Sequence, residues 1–288
     1  MQKYPLIPFF KEVFFCVESG IFLCYNRKKQ KAGEDLARKE DYIAVFDSGV
    51  GGISVLRELV QLMPNENYLY FGDSANAPYG EKSTEQVREL TLQNAKRLLS
   101  WGVKALVVAC NTATAAAIDL LRQTYPDTII IGIEPALKLA VDRFPAGKIG
   151  ILATPVTLRE EKLTHLLERF PEVQVERIPA PGLVALIEQG KADSPETEAL
   201  LRDLLNPYIG KLDALVLGCT HYPFVKDTIS AILGSHTLLL DGGEGTARQT
   251  RRCLEQAGLL LATGGNITME NSLETPEILQ LSFELLEK

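Results

Sequence analysis

The chain has little of what marks several large protein classes. No apolar run in its 288 residues reaches the roughly 18 residues that read as a membrane-crossing helix. The five cysteines, at 16, 24, 110, 219 and 253, are odd in number and scattered, which fits no disulfide framework and suits a reducing compartment. A redox pair is usually a close Cys-x-x-Cys, and these thiols lie far apart. Positive charge is not in surplus either. Lys and Arg total 30 against 37 Asp and Glu, a net charge of −7, so no basic stripe is available to displace counterions from nucleic acid. A Walker A motif is absent, and Gly-Val-Gly-Gly at 49–52 does not match G-x-G-x-x-G. Residues 7–24 are apolar-rich, but Lys11, Glu12 and Glu18 interrupt them, and they lack the basic start and small-residue cleavage site of a signal peptide. The chain reads as cytoplasmic, with no nucleic-acid or membrane partner.

What is present is ordinary for a globular protein: 46% apolar residues and a mean hydropathy of +0.03. The length allows one large or two ordinary α/β domains. Residues 1–41 stand apart, aromatic-rich at first and then a charged stretch without apolar period, and are expected to be a disordered or weakly packed extension. From Tyr42 short apolar strands alternate with helices: "YIAVFDSGVGG", "NYLYFG", "VKALVVAC", "TIIIGIEP", "KIGILAT", "VQVERIPA", "LDALVLGC" and "HTLLLDGG" read as strands. Helices are expected at 53–63, 83–101, 112–125, through Leu167, around "GLVALIEQG", at 195–209, after Pro223 and over "GTARQTRRCLEQAGL". Short, apolar strands in such alternation imply parallel sheets covered by helices on both faces, and there are enough for two sheets.

Ligands in such sheets bind beyond the carboxyl ends of the strands. The unusual residues gather there: Asp47-Ser48, Asp73-Ser74, Cys110-Asn111-Thr112, Thr154 and Cys219-Thr220-His221. Taken singly, each has a bland explanation. Buried cysteine serves as a small hydrophobe, Asp-Ser before glycine is a usual turn cap, and His221 could simply pack beside Pro223. Cys110 and Cys219 nevertheless end two similar strand motifs, 219 − 110 = 109 positions apart. A zinc site could draw on Cys110, Cys219 and His221, without an obvious fourth ligand. A single nucleophilic cysteine would leave its twin idle. Inversion at a carbon acid uses both, one base removing the α-proton on one face while an acid donates on the other. A thiol, with a reference pKa of about 8.5, suits either role. The neighbouring Asn and Thr side chains and helix-start N–H groups would hold a carboxylate.

The segments "FDSGVGG", "ANAPYG", "ACNTATA", "GCTHYP" and "DGGEGTAR" resemble the glutamate racemases of the aspartate/glutamate racemase family. The likeness runs in order from about Tyr42 to the C-terminus. Aspartate racemases share the Cys-Asn-Thr and Cys-Thr elements but not the "GCTHYP" form. The resemblance implies cofactor-independent interconversion of L- and D-glutamate, the D-isomer feeding peptidoglycan and hence cell-wall and cell-shape maintenance. It implies Cys110 and Cys219 as the acid–base thiols, with Asp47 and His221 assisting and Glu188 a third candidate. Asp47, Ser48, Asn111, Thr112, Thr154, Thr220 and His221 would bind substrate, and the Pro78-Tyr79-Gly80 loop would receive its side-chain carboxylate. The family's usual Cys-Pro before the helix carrying the Glu is Ala180-Pro181 here.

The expected architecture is two similar α/β lobes around a cleft: 42–133 plus 241–288 as one, 134–240 as the other. No nicotinamide, pyridoxal phosphate or metal is expected, and a homodimer is. A non-catalytic amino-acid-binding protein would share the cleft and carboxylate donors; paired thiols are what it would have no use for.

Overall fold

The computed structural model describes residues 12–16, 22–26, 41–133, 136–159 and 161–288. Eleven strands are described: β1 (Glu12–Cys16), β2 (Phe22–Asn26), β3 (Tyr42–Asp47), β4 (Asn67–Gly72), β5 (Ala105–Val108), β6 (Ile129–Gly132), β7 (Lys148–Ala153), β8 (Gln174–Pro179), β9 (Ala214–Leu217), β10 (Leu238–Asp241) and β11 (Ile267–Asn271). The α-helices between and after them are α1 (Ile53–Leu62), α2 (Thr84–Leu99), α3 (Asn111–Thr124), α4 (Leu137–Arg143), α5 (Pro155–Arg159), α6 (Glu161–Leu167), α7 (Leu183–Glu188), α8 (Pro195–Leu205), α9 (Lys226–Leu233), α10 (Gly243–Ala257) and α11 (Pro276–Glu287).

The strands form two sheets, one of seven in the order β1-β2-β11-β4-β3-β5-β6 and one of four in the order β10-β9-β7-β8. Apart from the antiparallel β1–β2 pair, every pairing is parallel. This is the expected α/β architecture of two mostly parallel, helix-flanked sheets. The run of Val, Ile, Leu and Phe explains it: β4, β5 and β9 are buried along their whole length, which only a sheet covered on both faces permits. α1 shows the helical counterpart, burying Ile53, Val55, Leu56 and Leu59, each contributing about 1.5–3 kcal/mol of burial. In α2, Ser83 and Gln86 form a reciprocal capping box that fixes the helix start.

Strand order locates the place where a ligand can enter. In the larger sheet the chain leaves β3 toward β4 on one side and toward β5 on the other. In the smaller one it leaves β7 toward β8 and then returns to β9 on the opposite side. Each sheet therefore has one switch point, β3/β5 and β7/β9, where successive connections splay apart and open a crevice at the carboxyl ends. Cys110 follows β5 and Cys219 follows β9.

Several described elements were not anticipated from sequence: β1, β2, α4, β11 and α11. β11 alternates buried Ile267, Met269 and Asn271 with less buried Thr268 and Glu270, so it lacks the continuous apolar run that exposed the other strands. Its partner β4 lies far away in sequence. β1 and β2 lie within the segment read as a weakly packed extension. They pair with each other in full register, and β2 meets β11 at Leu23↔Ile267. The rest of that reading, for 1–11, 17–21 and 27–40, lies outside the described residues.

The far end of the larger sheet carries a buried ion pair. Lys104 Nζ lies 2.5 Å from Glu66 Oε2, with side-chain exposures of 4% and 2%. Lys104 also donates to Leu259 O at 2.8 Å, and Leu261 N–H donates to Glu66 Oε1 at 2.8 Å. The pair thereby clamps the segment that leads from α10 into β11.

Candidate active site

The carboxyl ends of the two sheets face each other and are joined by hydrogen bonds. Thr220 Oγ1, just after β9, donates to Asp47 Oδ2 at the end of β3, at 3.0 Å. Thr112 Oγ1 on α3 lies 3.2 Å from Thr154 Oγ1 after β7. Val50 N–H, in the turn after β3, donates to Glu188 Oε1 at the end of α7, at 2.7 Å.

Two arms are built on this frame. On the first, Cys110 is the N-cap of α3, its Sγ accepting from Ala113 N at 3.4 Å and donating to Ser48 Oγ at 3.4 Å. Burial, with the Asp47 carboxyl second, pushes the thiol up to about 12, so Cys110 carries its proton at neutral pH. Asp47, fully buried, accepts from Gly49 N–H at 2.9 Å and from Thr220. Burial raises its pKa above the ordinary carboxylate value, and His221 opposes that rise. On the second arm, Cys219 Sγ lies 3.6 Å from His221 Nδ1, and His221 Nε2 lies 2.5 Å from Glu188 Oε1. Burial works against a charged His221, but the hydrogen bonds to Cys219 and Glu188 outweigh it and hold the imidazole well above its usual pKa. The two thiols therefore have opposite surroundings, a buried carboxyl near Cys110 and an imidazole backed by a carboxylate beside Cys219.

The glycine turn after β3 makes room for the second arm. A Cβ on Gly49 would collide with the Glu188 carboxylate, and one on Gly51 with the His221 ring. Here the backbone must approach closely, which only glycine permits.

Asn111 Oδ1 is the one side-chain polar atom among the described residues that is buried without a hydrogen-bond partner. A buried carbonyl left unpaired is costly, and it is the acceptor a ligand ammonium would satisfy. Thr112, Thr154 and Thr157 place three hydroxyls within 3.0–3.2 Å of one another, a set of small donors suited to a carboxylate. No group of three or more His, Cys, Asp or Glu among the described residues is arranged to hold a metal ion.

The structure thus brings together Cys110, Asp47, Ser48, Asn111, Thr112, Thr154, Cys219, Thr220, His221 and Glu188. Gly80 lies against Thr154, where an added Cβ would meet its side chain at 2.5 Å. The Tyr79 ring is buried at 1% exposure and its hydroxyl donates to Asp73 Oδ2 at 2.6 Å, so what the loop has free to offer is backbone and not the phenol. Sequence reasoning gave no role to Thr157, Ser74 or Asn271. Thr157 sits three residues after Thr154, whose Oγ1 accepts from its N–H at 3.3 Å, a cap spacing that was readable. Ser74 was visible as a strand-end residue, but Asn271 had no local signal.

Two mostly parallel sheets joined by hydrogen bonds at their carboxyl ends, with a buried thiol at the switch point of each, define an α/β protein with one candidate site between the sheets. The sequence profile of the Asp/Glu/Hydantoin racemase family matches residues 43–250, and this chain belongs to that family. The glutamate racemase of Clostridium perfringens (strain SM101 / Type A) is 47% identical over 249 residues, covering 85% of this chain and 96% of that protein. Among solved structures, glutamate racemase from Francisella tularensis in complex with D-glutamate superposes with a TM-score of 0.75 at 28% identity, covering 87% of this chain and 95% of that one. Escherichia coli glutamate racemase in complex with L-glutamate and the activator UDP-MurNAc-ala gives 0.73 at 31% identity, covering 86% and 92%. Among the described residues, no helix is long and apolar enough to cross a membrane.

Proposed function

We propose that this chain is a glutamate racemase that inverts the α-carbon with two thiols and no cofactor. The observation that carries this is the placement of one buried cysteine at the switch point of each sheet, with the ends of both sheets hydrogen-bonded around them. From L-glutamate, Cys219 as thiolate takes the Cα proton, leaving a carbanion delocalised into the α-carboxylate. The Cys110 thiol gives its proton to the opposite face. From D-glutamate the roles reverse. Asn111 Oδ1 accepts from the substrate ammonium, the hydroxyls near Thr112 bind the α-carboxylate, and the backbone of the 78–80 loop receives the side-chain carboxylate. Asp47 serves the Cys110 side and the Glu188–His221 pair the Cys219 side.

In this reading the working body is the two lobes 42–133 plus 241–288 and 134–240, acting in the cytoplasm as a homodimer. By the family resemblance, the D-glutamate formed would feed peptidoglycan synthesis. The test is loss of optical rotation from L-glutamate and from L-aspartate without added cofactor. Glutamate is expected to be turned over far better, because a carboxylate one methylene short leaves the loop donors unpaired, a penalty larger than the methylene itself. Comparable kcat/KM for both would move the assignment to a broad-specificity racemase.

A further inference from the structure

We infer that Ser74, backed by Asn271, is a positioning residue for the Cys219 arm: it orients the Glu188 carboxylate and thereby decides which nitrogen of a neutral His221 carries the proton, leaving the other as acceptor toward the thiol. The inference deepens the two-thiol reading and rests on it. Ser74 follows Asp73 at the start of a short helical turn, yet its hydroxyl is not spent on capping that turn. It donates instead to Glu188 Oε2 at 2.8 Å, 114 positions away.

The proton order along this chain of bonds is fixed from its outer end. Leu273 N–H donates to Asn271 Oδ1 at 3.0 Å, which sets the amide so that its Nδ2 faces Ser74 Oγ, at 2.9 Å. With Asn271 donating to its oxygen, Ser74 has one proton to give, and Glu188 takes it. Val50 N–H holds the other carboxylate oxygen at 2.7 Å. Both oxygens of Glu188 are thus engaged by donors, and Oε1 also meets His221 Nε2 at 2.5 Å. A neutral His221 therefore keeps its proton on Nε2, and Nδ1 is left as an acceptor toward Cys219 Sγ, 3.6 Å away. The partner of one ring nitrogen selects the state of the other. In the step this serves, the Cys219 S–H bond breaks, Nδ1–H forms, and the thiolate and imidazolium result. The thiolate then takes the substrate α-proton, and the same path returns it in reverse. The charged and titratable groups facing His221 are Cys219 from its own loop, Glu188 from α7 and Asp47 from β3.

The experiment uses the full chain with Ser74→Ala, Ser74→Thr and Asn271→Asp. It measures kcat and KM in both directions and, without any substrate, the pH profile of Cys219 alkylation by iodoacetamide, read by peptide mass spectrometry. Ser74→Ala is expected to lower kcat by roughly tenfold or more, the loss of one bond to a charged group, to leave KM little changed, and to shift the alkylation midpoint. Ser74→Thr, which keeps the hydroxyl, restores both. Asn271→Asp keeps the acceptor for Leu273 but turns the Ser74 proton toward itself, so it reproduces the Ser74→Ala profile. An unchanged kcat in Ser74→Ala, an unmoved alkylation midpoint, or failure of threonine to rescue would each overturn the inference. A wild-type protein that does not racemise glutamate would overturn the functional reading instead, while the alkylation profiles still decide the part played by Ser74.

Discussion

Thr220 Oγ1 donates to Asp47 Oδ2 across the junction of the two sheets at 3.0 Å, so the residue next to Cys219 holds the carboxylate that lies near Cys110. Thr220→Val keeps the shape and removes the donor. It is expected to cost about 1–3 kcal/mol of stability by leaving a buried acceptor unpaired, and to slow racemisation. Urea denaturation measures the first effect and polarimetry the second.

Cys110→Ala and Cys219→Ala are each expected to abolish racemisation, since the proposed scheme needs one thiol on each face of the α-carbon. In D₂O the wild-type product carries deuterium at Cα, because a thiol proton exchanges with solvent. Asp47→Asn and His221→Asn lower kcat by about 10²–10⁴, the range for general acid–base groups, and by unequal amounts in the two directions. Cys253, a half-buried position on α10, is replaceable with little loss. Chiral chromatography and mass spectrometry of the product read these outcomes, and full activity in either alanine variant removes the two-thiol mechanism.

Stability at alkaline pH should carry the mark of Cys110. Its pKa rises from 9.0 to about 12 in the folded chain. Between those values the unfolded thiol has lost its proton and the native one has kept it. The unfolded state then binds fewer protons, and stability falls as pH rises. The contribution is complete below the unfolded value and lost as pH climbs through the folded one. Cys110→Ser lacks this slope, so its stability relative to wild type should improve across that window, by up to about 4 kcal/mol at the top of it. Denaturation at one pH below the window and one within it checks the sign.

Lys104→Ala should destabilise the fold by about 3–5 kcal/mol, because it strands the buried Glu66 charge. It is also expected to leave the two thiol arms in place, since Lys104 and Glu66 lie at the amino ends of β5 and β4, away from the carboxyl ends that carry the thiols. A lowered denaturation midpoint with near-normal kcat at low temperature is the expected result.

The fold was legible where a single local signal sufficed. β3, β5, β7 and β9 are apolar runs, and the polar residues that break them are the ones that meet where the carboxyl ends of the two sheets join. Cys110 and Cys219 stood out because the same strand end occurs twice. Glu188 was harder to read, because the preceding turn departs from the family pattern and only the fold brings it to His221. β11 and α11 escaped because their strongest contacts are with elements far back in the chain. Asn271 escaped for the same reason: its partner Ser74 is 197 positions away, and no window of sequence contains both.

Gly49 and Gly51 contact no substrate in the proposed scheme and contribute no proton, yet a methyl at either would displace Glu188 or His221. The tolerance of this enzyme to random substitution is therefore not graded by distance from the reacting carbon. Two residues without side chains are as restricted as the thiols themselves, since the volume they leave empty belongs to a carboxylate and an imidazole supplied by the other half of the molecule. Drift in the first turn of the larger sheet is limited by what the smaller sheet has placed against it, so the two halves can vary in that region only together.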